Sequence, residues 1–160
     1  MILAVHFIAG AAISEASTSV LGLFFAFLSH YFLDFLPHRE YSTENIQKKY
    51  WGKAFFDFFK VGLDVSLGSL FVLLITENPL LSFLGGFLAI LPDGFSFLFL
   101  LFPKNKFLAA HNFFHKDIVH RFNIRLNALS NKKSFAGVLF VLEVFTQLSA
   151  IAAATVLLPR

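Results

Sequence analysis

The sequence has no cysteine. It can therefore form neither a disulfide nor a thiolate metal site, and it carries no information about redox compartment. Charge is also scarce. Asp, Glu, Lys and Arg make up 14% of the residues, against about a quarter in an ordinary soluble domain. The net charge of +3 is modest. In a chain this apolar it bears on topology and on anionic headgroups, and nucleic acid is not expected as a partner. Internal repeats and low-complexity tracts are missing. The N-terminus has no basic n-region and no A-x-A-like site before the first polar break, so no cleavable signal peptide is expected.

What is present is apolar surface. Of 160 residues 57% are hydrophobic and 24 are Phe, and the mean hydropathy is +0.72. Long runs nearly free of charge predict one all-α integral membrane domain over 1–160, a polytopic helix bundle. Residues 1–13 form an apolar helix of about 20 Å at ~1.5 Å per residue, short for a span. Residues 14–19 ("SEASTS") are a polar break. Four full spans are expected at 20–36, 54–76, 80–102 and 134–158, the third interrupted by "PDG". Loop 37–53 and turn 77–79 connect them, and 103–133 is expected as a basic amphipathic helix on the membrane surface. Lys and Arg concentrate in 37–53 and 103–133 and are missing from 14–19 and 77–79. That asymmetry predicts a cytoplasmic N-terminus and an external C-terminus.

This topology gathers the ionisable side chains in one leaflet, although such groups are costly inside a bilayer unless they have partners or water. The stretch "LSHYFLDFLPHRE" (28–40) carries His30, Asp34 and His38 at intervals of four, on one helical stripe. Divalent zinc, iron and manganese accept imidazole and carboxylate together. The competing reading is an interfacial Asp–His hydrogen bond. His111 and His115 stand one turn apart, the spacing zinc enzymes use, unless they are merely headgroup-level histidines of an interfacial helix. His120 falls about 180° from His111 on a continuous helix, nine residues at ~100° each. It therefore joins a site only through a bend, and otherwise meets a headgroup. Asp93 lies behind Pro92 in a broken span, where exposed backbone can line a cavity. His6 stands alone on an apolar helix, either as a ligand or as a hydrogen-bonded core residue. Asp57, Lys60 and Asp64 share one face of the second span. All three could be a self-neutralising triad with a snorkelling Lys60; that reading suits Asp57, and the deeper Asp64 is the better functional candidate. Glu143 reads as a packed polar residue, and Glu15 and Glu77 as loop residues.

The stretches "AVHFIAGAAI", "LSHYFLDFLPHRE", "GGFLAILPDGFSFL" and "HNFFHKDIVH" resemble the small prokaryotic inner-membrane proteins known as membrane-bound metal-dependent hydrolases. The likeness covers most of residues 1–120. It implies metal ligation by His6, His30, Asp34, Asp93, His111 and His115. Better-known members carry "LPDxD" and a box like "HRG-x-THS", where this chain has "LPDGF" and "HKDIVHRF".

The resulting expectation is a hydrolase at the cytoplasmic leaflet of a prokaryotic inner membrane. It would hold one or two divalent ions, zinc foremost, on His6, His30, Asp34, His38, Asp93, His111 and His115. An acidified water would attack a lipid or lipid-phosphate substrate. Asp64 would be the general base, with Lys60, Arg121 and His120 on the headgroup, and the 104–127 helix would form a lid. Two other classes compete. An iron-dependent lipid oxidase of the desaturase kind needs about eight histidines, and this chain has six. A cation or proton transporter, or a lipid-binding scaffold, would work without catalysis, but a conduction path should carry polar residues through the outer leaflet as well.

Overall fold

The structure is a computed structural model that describes residues 2–17, 19–121 and 133–158, without the side chains of 133–135. The described residues are helical and include no strand. In chain order they form α1 (Leu3–Ser17), α2 (Val20–Phe35), the short α3 (Glu44–Gln47), a 3-10 turn (Trp51–Lys53), α4 (Phe55–Ile75), α5 (Pro79–Leu101), α6 (Lys106–Phe113), a π-helical turn (Phe114–Val119) and α7 (Lys133–Leu157).

Local chemistry accounts for the boundaries. Leu36, ahead of Pro37, has φ −75° and ψ 152° and ends α2, because a residue before proline is driven out of the helical region. Pro79 opens α5 behind Asn78, whose side chain accepts from the Leu81 amide; the missing proline N–H costs nothing in a first turn. Asn105 caps α6 through the amides of Phe107 and Leu108.

Three helices are long and apolar enough to cross a membrane: Phe55–Ile75, Pro79–Leu101 and Ala136–Leu157. Among the four expected spans, 20–36 comes out shorter. Helix α2 has 16 residues, about 24 Å at ~1.5 Å per residue. The 80–102 segment is not interrupted: Pro92 lies inside a continuous 23-residue α5. The expected surface helix at 103–133 ends at Phe113 and passes into the π turn; residues 122–132, and with them part of the expected lid, lie outside the described residues.

Helix α1 is the centre of the structure. It is hydrophobic all round and nearly every residue from Val5 to Glu15 is buried, as expected of a helix surrounded by others. It packs against α2, α4, α5 and α7. Its approach to α5 is very close. A Cβ on Gly10 would fall 2.5 Å from the Gly85 carbonyl oxygen and nearer still to Ala89 Cβ, and one on Gly86 would strike the Phe7 ring at 2.7 Å. Small residues let the two backbones meet, the usual means of helix association where lipid removes the hydrophobic drive. The outer faces carry the reverse pattern. Phe55, Phe56 and Phe59 on α4, Leu80 and Phe87 on α5, and Val138, Val141 and Phe145 on α7 are exposed.

The end of α1 remote from the histidines is fixed by Glu15. Its carboxylate, expected in a loop, is instead buried in α1. It accepts from the hydroxyls of Thr76 and Ser82 (2.6 Å from the latter) and from the amides of Glu77 and Asn78 at 3.1 and 3.0 Å. These amides belong to the α4–α5 turn, so Glu15 ties that turn to the central helix. Hydrogen bonds to a charged group contribute about 1.5–3 kcal/mol each, and donors left unsatisfied cost a similar amount. Glu15→Ala is expected to lower thermal stability in detergent by at least ~3 kcal/mol, read from the unfolding midpoint, while leaving metal content unchanged in protein that folds.

Candidate metal centre

Helix α2 ends in a ladder of chemistry. His30 and Asp34 lie on its inner face, 0% and 1% exposed. His38 follows beyond Pro37 and is also buried. Helix α1 brings His6 from one side, α5 brings Asp93 and Ser96 from another, and the π turn brings His115 and His120 over the top. Asp93 is eight residues from the end of α5, about 12 Å at ~1.5 Å per residue.

Distances converge on the Asp34 carboxylate. Its Oδ2 lies 3.1 Å from His30 Nε2, 3.0 Å from His115 Nε2 and 3.1 Å from His120 Nε2. His115 Nε2 is itself 3.0 Å from His30 Nε2 and 3.3 Å from His120 Nε2. Asp93 Oδ1 closes the group at 3.9 Å from His30 Nε2 and 4.0 Å from His115 Nε2. Asp34 Oδ1 takes His6 Nε2 at 3.0 Å and faces His38 Nε2 at 3.7 Å.

The tautomers decide what this convergence means. His30 Nδ1 lies 2.7 Å from the Ala89 carbonyl. A carbonyl only accepts, so Nδ1 carries the proton, and on a neutral ring Nε2 is a bare lone pair. That lone pair points at a carboxylate oxygen and at another imidazole nitrogen. The same logic holds for His38, whose Nδ1 donates to the Leu36 carbonyl at 2.7 Å while Nε2 faces Glu40 Oε1 at 2.8 Å. Neutral rings held in this way set lone pair against lone pair, and a shared proton or a metal ion between the atoms relieves that repulsion. Fixing an imidazole by donating its other N–H to a carbonyl is also how metal-binding histidines are oriented. Donors about 2.0–2.1 Å from a tetrahedral ion stand about 3.3 Å from one another, close to the spacings here. His30, Asp34, Asp93 and His115 thus form one group able to hold a metal ion, and His38, Glu40 and His120 form a second beside it.

Backbone features make this packing feasible. Pro92 offers no N–H to the Leu88 carbonyl, and its ring disturbs the helix ladder there. The next carbonyl, that of Ala89, is the one that accepts from His30. The expected break of the span thus takes the form of a continuous helix with a carbonyl turned to a histidine. His120 enters through the π turn, in which its amide bonds to the His115 carbonyl at 3.1 Å. On an α-helix residues five apart diverge by about 140°; bonding from i to i+5 brings them onto one side, and single π turns gather at functional sites.

Other candidates are placed differently. His6 reaches the centre through Asp34, and its ring lies 4.3 Å from that of His30. Its Nε2–H donates to Oδ1, and its buried Nδ1 has no partner among the described residues. It therefore orients the carboxylate and lies outside both donor groups. His111, expected as a ligand, has its Nε2 on the Tyr31 hydroxyl at 3.0 Å and also belongs to neither group. Burial, with the imidazoles of His115 and His30 nearby, holds its pKa below the ordinary histidine value. Asp64 is not an idle base. It accepts from the Leu3 amide at 2.7 Å and the Tyr41 hydroxyl at 3.2 Å, capping α1. Lys60 donates to Asp57 and to the Ser42 carbonyl, and Asp57 in turn accepts from the amides of Asn45 and Ile46. Of the triad expected on this face, Asp57 and Lys60 pair with each other and also anchor α3, while Asp64 is committed to the Leu3 amide and the Tyr41 hydroxyl. Arg121 is exposed. His120, expected at a headgroup, stands in the second donor group.

Glu40 was missed by the sequence reasoning. Its signal was "His38-Arg39-Glu40" in an extended segment, where alternate residues face the same way. Burial alone would raise its pKa, but the His38 hydrogen bond, the charge of the N-terminus and the neighbouring His120 together outweigh this and hold it well below the usual glutamate range, so it is a carboxylate at neutral pH. Tyr31, edge-on to His30 and His115, was missed as well; its only sequence signal was its place next to His30.

Comparison with family models, curated proteins and solved structures gives no match.

Proposed function

We propose that the chain is a membrane-embedded, metal-dependent hydrolase acting on a lipid-phosphate substrate at the cytoplasmic leaflet of a prokaryotic inner membrane. In this reading α2, α4, α5 and α7 are the four spans of a helix bundle and α1 is its short central helix. The resemblance to the membrane-bound metal-dependent hydrolases supports the same reading. The observation that carries it is the convergence of three imidazole Nε2 atoms within 3.1 Å of Asp34 Oδ2. A structural Asp–His pair needs one imidazole, not three.

His30, Asp34, Asp93 and His115 would hold a divalent ion, zinc foremost. The ion would bring its bound water to a pKa near 7 and polarise the phosphoryl oxygen. The residues around it have separate tasks. The Ala89 carbonyl and the Ser96 hydroxyl fix the His30 and His115 rings at 2.7 and 3.0 Å. His6 holds the Asp34 carboxylate. Asp93, with a side chain 37% exposed beside nearly closed partners, marks the side from which substrate arrives. Phe95 and Phe97, close to it on α5, pack with Phe107 and Phe58 and offer an apolar wall to acyl or isoprenoid chains. Phe7, Ile8, Ala11 and Ala12 fill the interior between this centre and Glu15, and such a plug favours catalysis over conduction.

The test is phosphate release from phosphatidic acid and from an isoprenyl diphosphate in mixed micelles, with wild type beside His115→Ala. Expected is turnover that a chelator abolishes and zinc restores, lowered at least ~100-fold in the variant, as losses at or next to a ligand commonly are. Turnover insensitive to chelation, or unchanged in the variant, would overturn the proposal.

A further inference from the structure

We infer that Lys49 and Lys53, with Tyr50 and Trp51 between them, form a docking site for an anionic phospholipid at the end of the bundle where α4 begins. The site shares no residue with the metal centre and stands whether or not the chain is a hydrolase.

The backbone at Lys49 is strained. Helix α3 ends in two nested hydrogen bonds: the Lys49 amide donates to the Ile46 carbonyl at 3.0 Å, and the Tyr50 amide to the Asn45 carbonyl at 2.8 Å. This is a Schellman closure, in which the residue just past the helix takes the left-handed conformation. Lys49 does so with φ 59°, and among the described residues it is the only non-glycine with a positive φ. Glycine is the usual choice there, because a Cβ is disfavoured. Strained backbone of this kind gathers at functional sites. Here it carries an exposed ammonium group. The segment is also firmly mounted: Ile46 is buried, and Asp57 accepts from the amides of Asn45 and Ile46.

Charge and apolar surface decide the occupant. Residues 44–60 hold two acids, Glu44 and Asp57, against four bases, Lys48, Lys49, Lys53 and Lys60, a net of +2. Glu44 pairs with Lys48 at 2.7 Å and Asp57 with Lys60 at 3.2 Å. The surplus is therefore Lys49 and Lys53, both exposed. Tyr50 and Trp51 are exposed between them, and so are Phe55 and Phe56, which open α4. Helix α4 is one of the three able to cross a membrane, so Trp51 stands just ahead of a span, where interfacial aromatics sit. The chain thus presents the parts of a phospholipid in order. Ammonium groups meet the phosphate, the amphipathic rings of Tyr50 and Trp51 meet the glycerol region, and Phe55 and Phe56 meet the acyl chains. A free phosphate would leave the phenylalanines unused, which assigns the site to a lipid.

Trp51 is the single tryptophan of the chain, so its fluorescence reports on this site alone. The full chain is reconstituted in phosphatidylcholine vesicles that contain brominated phosphatidylglycerol or brominated phosphatidylcholine at the same mole fraction. Bromine quenches a tryptophan that touches the labelled lipid. The anionic lipid is expected to quench more strongly, and added salt to narrow the difference. Removing one lysine should lower the preference about fivefold, the contribution of one basic side chain near an anionic surface. Lys53→Gln tests the charge. Lys49→Gly tests the strain as well: glycine suits the left-handed turn, so Tm should hold or rise while the preference falls, a combination that a merely structural lysine would not give. Equal quenching by the two lipids in wild type would overturn the inference. So would a preference unchanged in either variant, or a Trp51 that neither lipid quenches. None of these readouts depends on bound metal or on turnover.

Discussion

Asp34→Ala is expected to empty the centre. Metal per purified chain should fall below about a tenth of the wild-type value, since losses at or beside a ligand cost 10–100-fold in affinity and Asp34 touches both donor groups. Stability should then follow by linkage. A ligand present at 1,000 times its Kd and bound only by the folded state stabilises by about 4.1 kcal/mol. Wild type should therefore lose several degrees of Tm on chelation and recover them with zinc. Asp34→Ala should show no chelator effect. Asp34→Asn separates ligation from packing: it fills the same volume without the charge, and it should lose metal as Asp34→Ala does. Full metal content in Asp34→Asn would mean that the carboxylate is not a ligand. An unchanged wild-type Tm on chelation would mean that no metal supports the fold.

The second large effect requires no ligand to change. Gly10→Ala places a methyl 2.5 Å from the Gly85 carbonyl oxygen and nearer still to Ala89 Cβ. Backbone cannot step aside as a long side chain can, so α1 must move away from α5. Overpacking of this kind costs about 1–3 kcal/mol and sometimes more. The movement should also reach the metal. Helix α1 holds His6 against Asp34, and α5 supplies Asp93 and the Ala89 carbonyl beneath His30. Gly10→Ala is thus expected to lower both Tm and metal affinity, the latter by about tenfold or more. Gly62→Ala is the control, because nothing lies within 4 Å of a Cβ there. A loss of stability with undiminished metal affinity would show that the α1–α5 contact and the centre are mechanically independent.

Glu15 and His115 extend the same logic to two other places. The Glu15 carboxylate sits at the opposite end of α1 from the histidines, so its loss should separate fold stability from metal content. Loss of His115 should change the centre with smaller effect on the helices around it.

Sequence alone determined the helical class, the apolar runs and most helix ends, because hydropathy, Pro37, Pro79 and the Asn caps act locally. It also determined the pairing of His30 with Asp34, since residues four apart on a helix share a face whatever surrounds them. It could not decide which apolar helix is central. Burial in lipid and burial in protein select the same side chains, and only the packing of α2, α4, α5 and α7 around α1 makes that short helix the core. Nor could it assign the remaining polar groups. His111 and His115 have equivalent spacing, yet Tyr31 takes the first and Asp34 the second. Asp64 is deep enough to look functional, but it is used up on the Leu3 amide. Glu15 reads as a loop residue until the α4–α5 turn folds back onto it. Pro92 predicts a break, but the helix runs on, and the carbonyl next to the one the proline leaves without a donor holds His30. His120 stands about 140° off the His115 side of an ideal α-helix, and a single π turn returns it. In each case the deciding contact joins residues far apart in the chain, or depends on helix pitch, and neither is written in local periodicity.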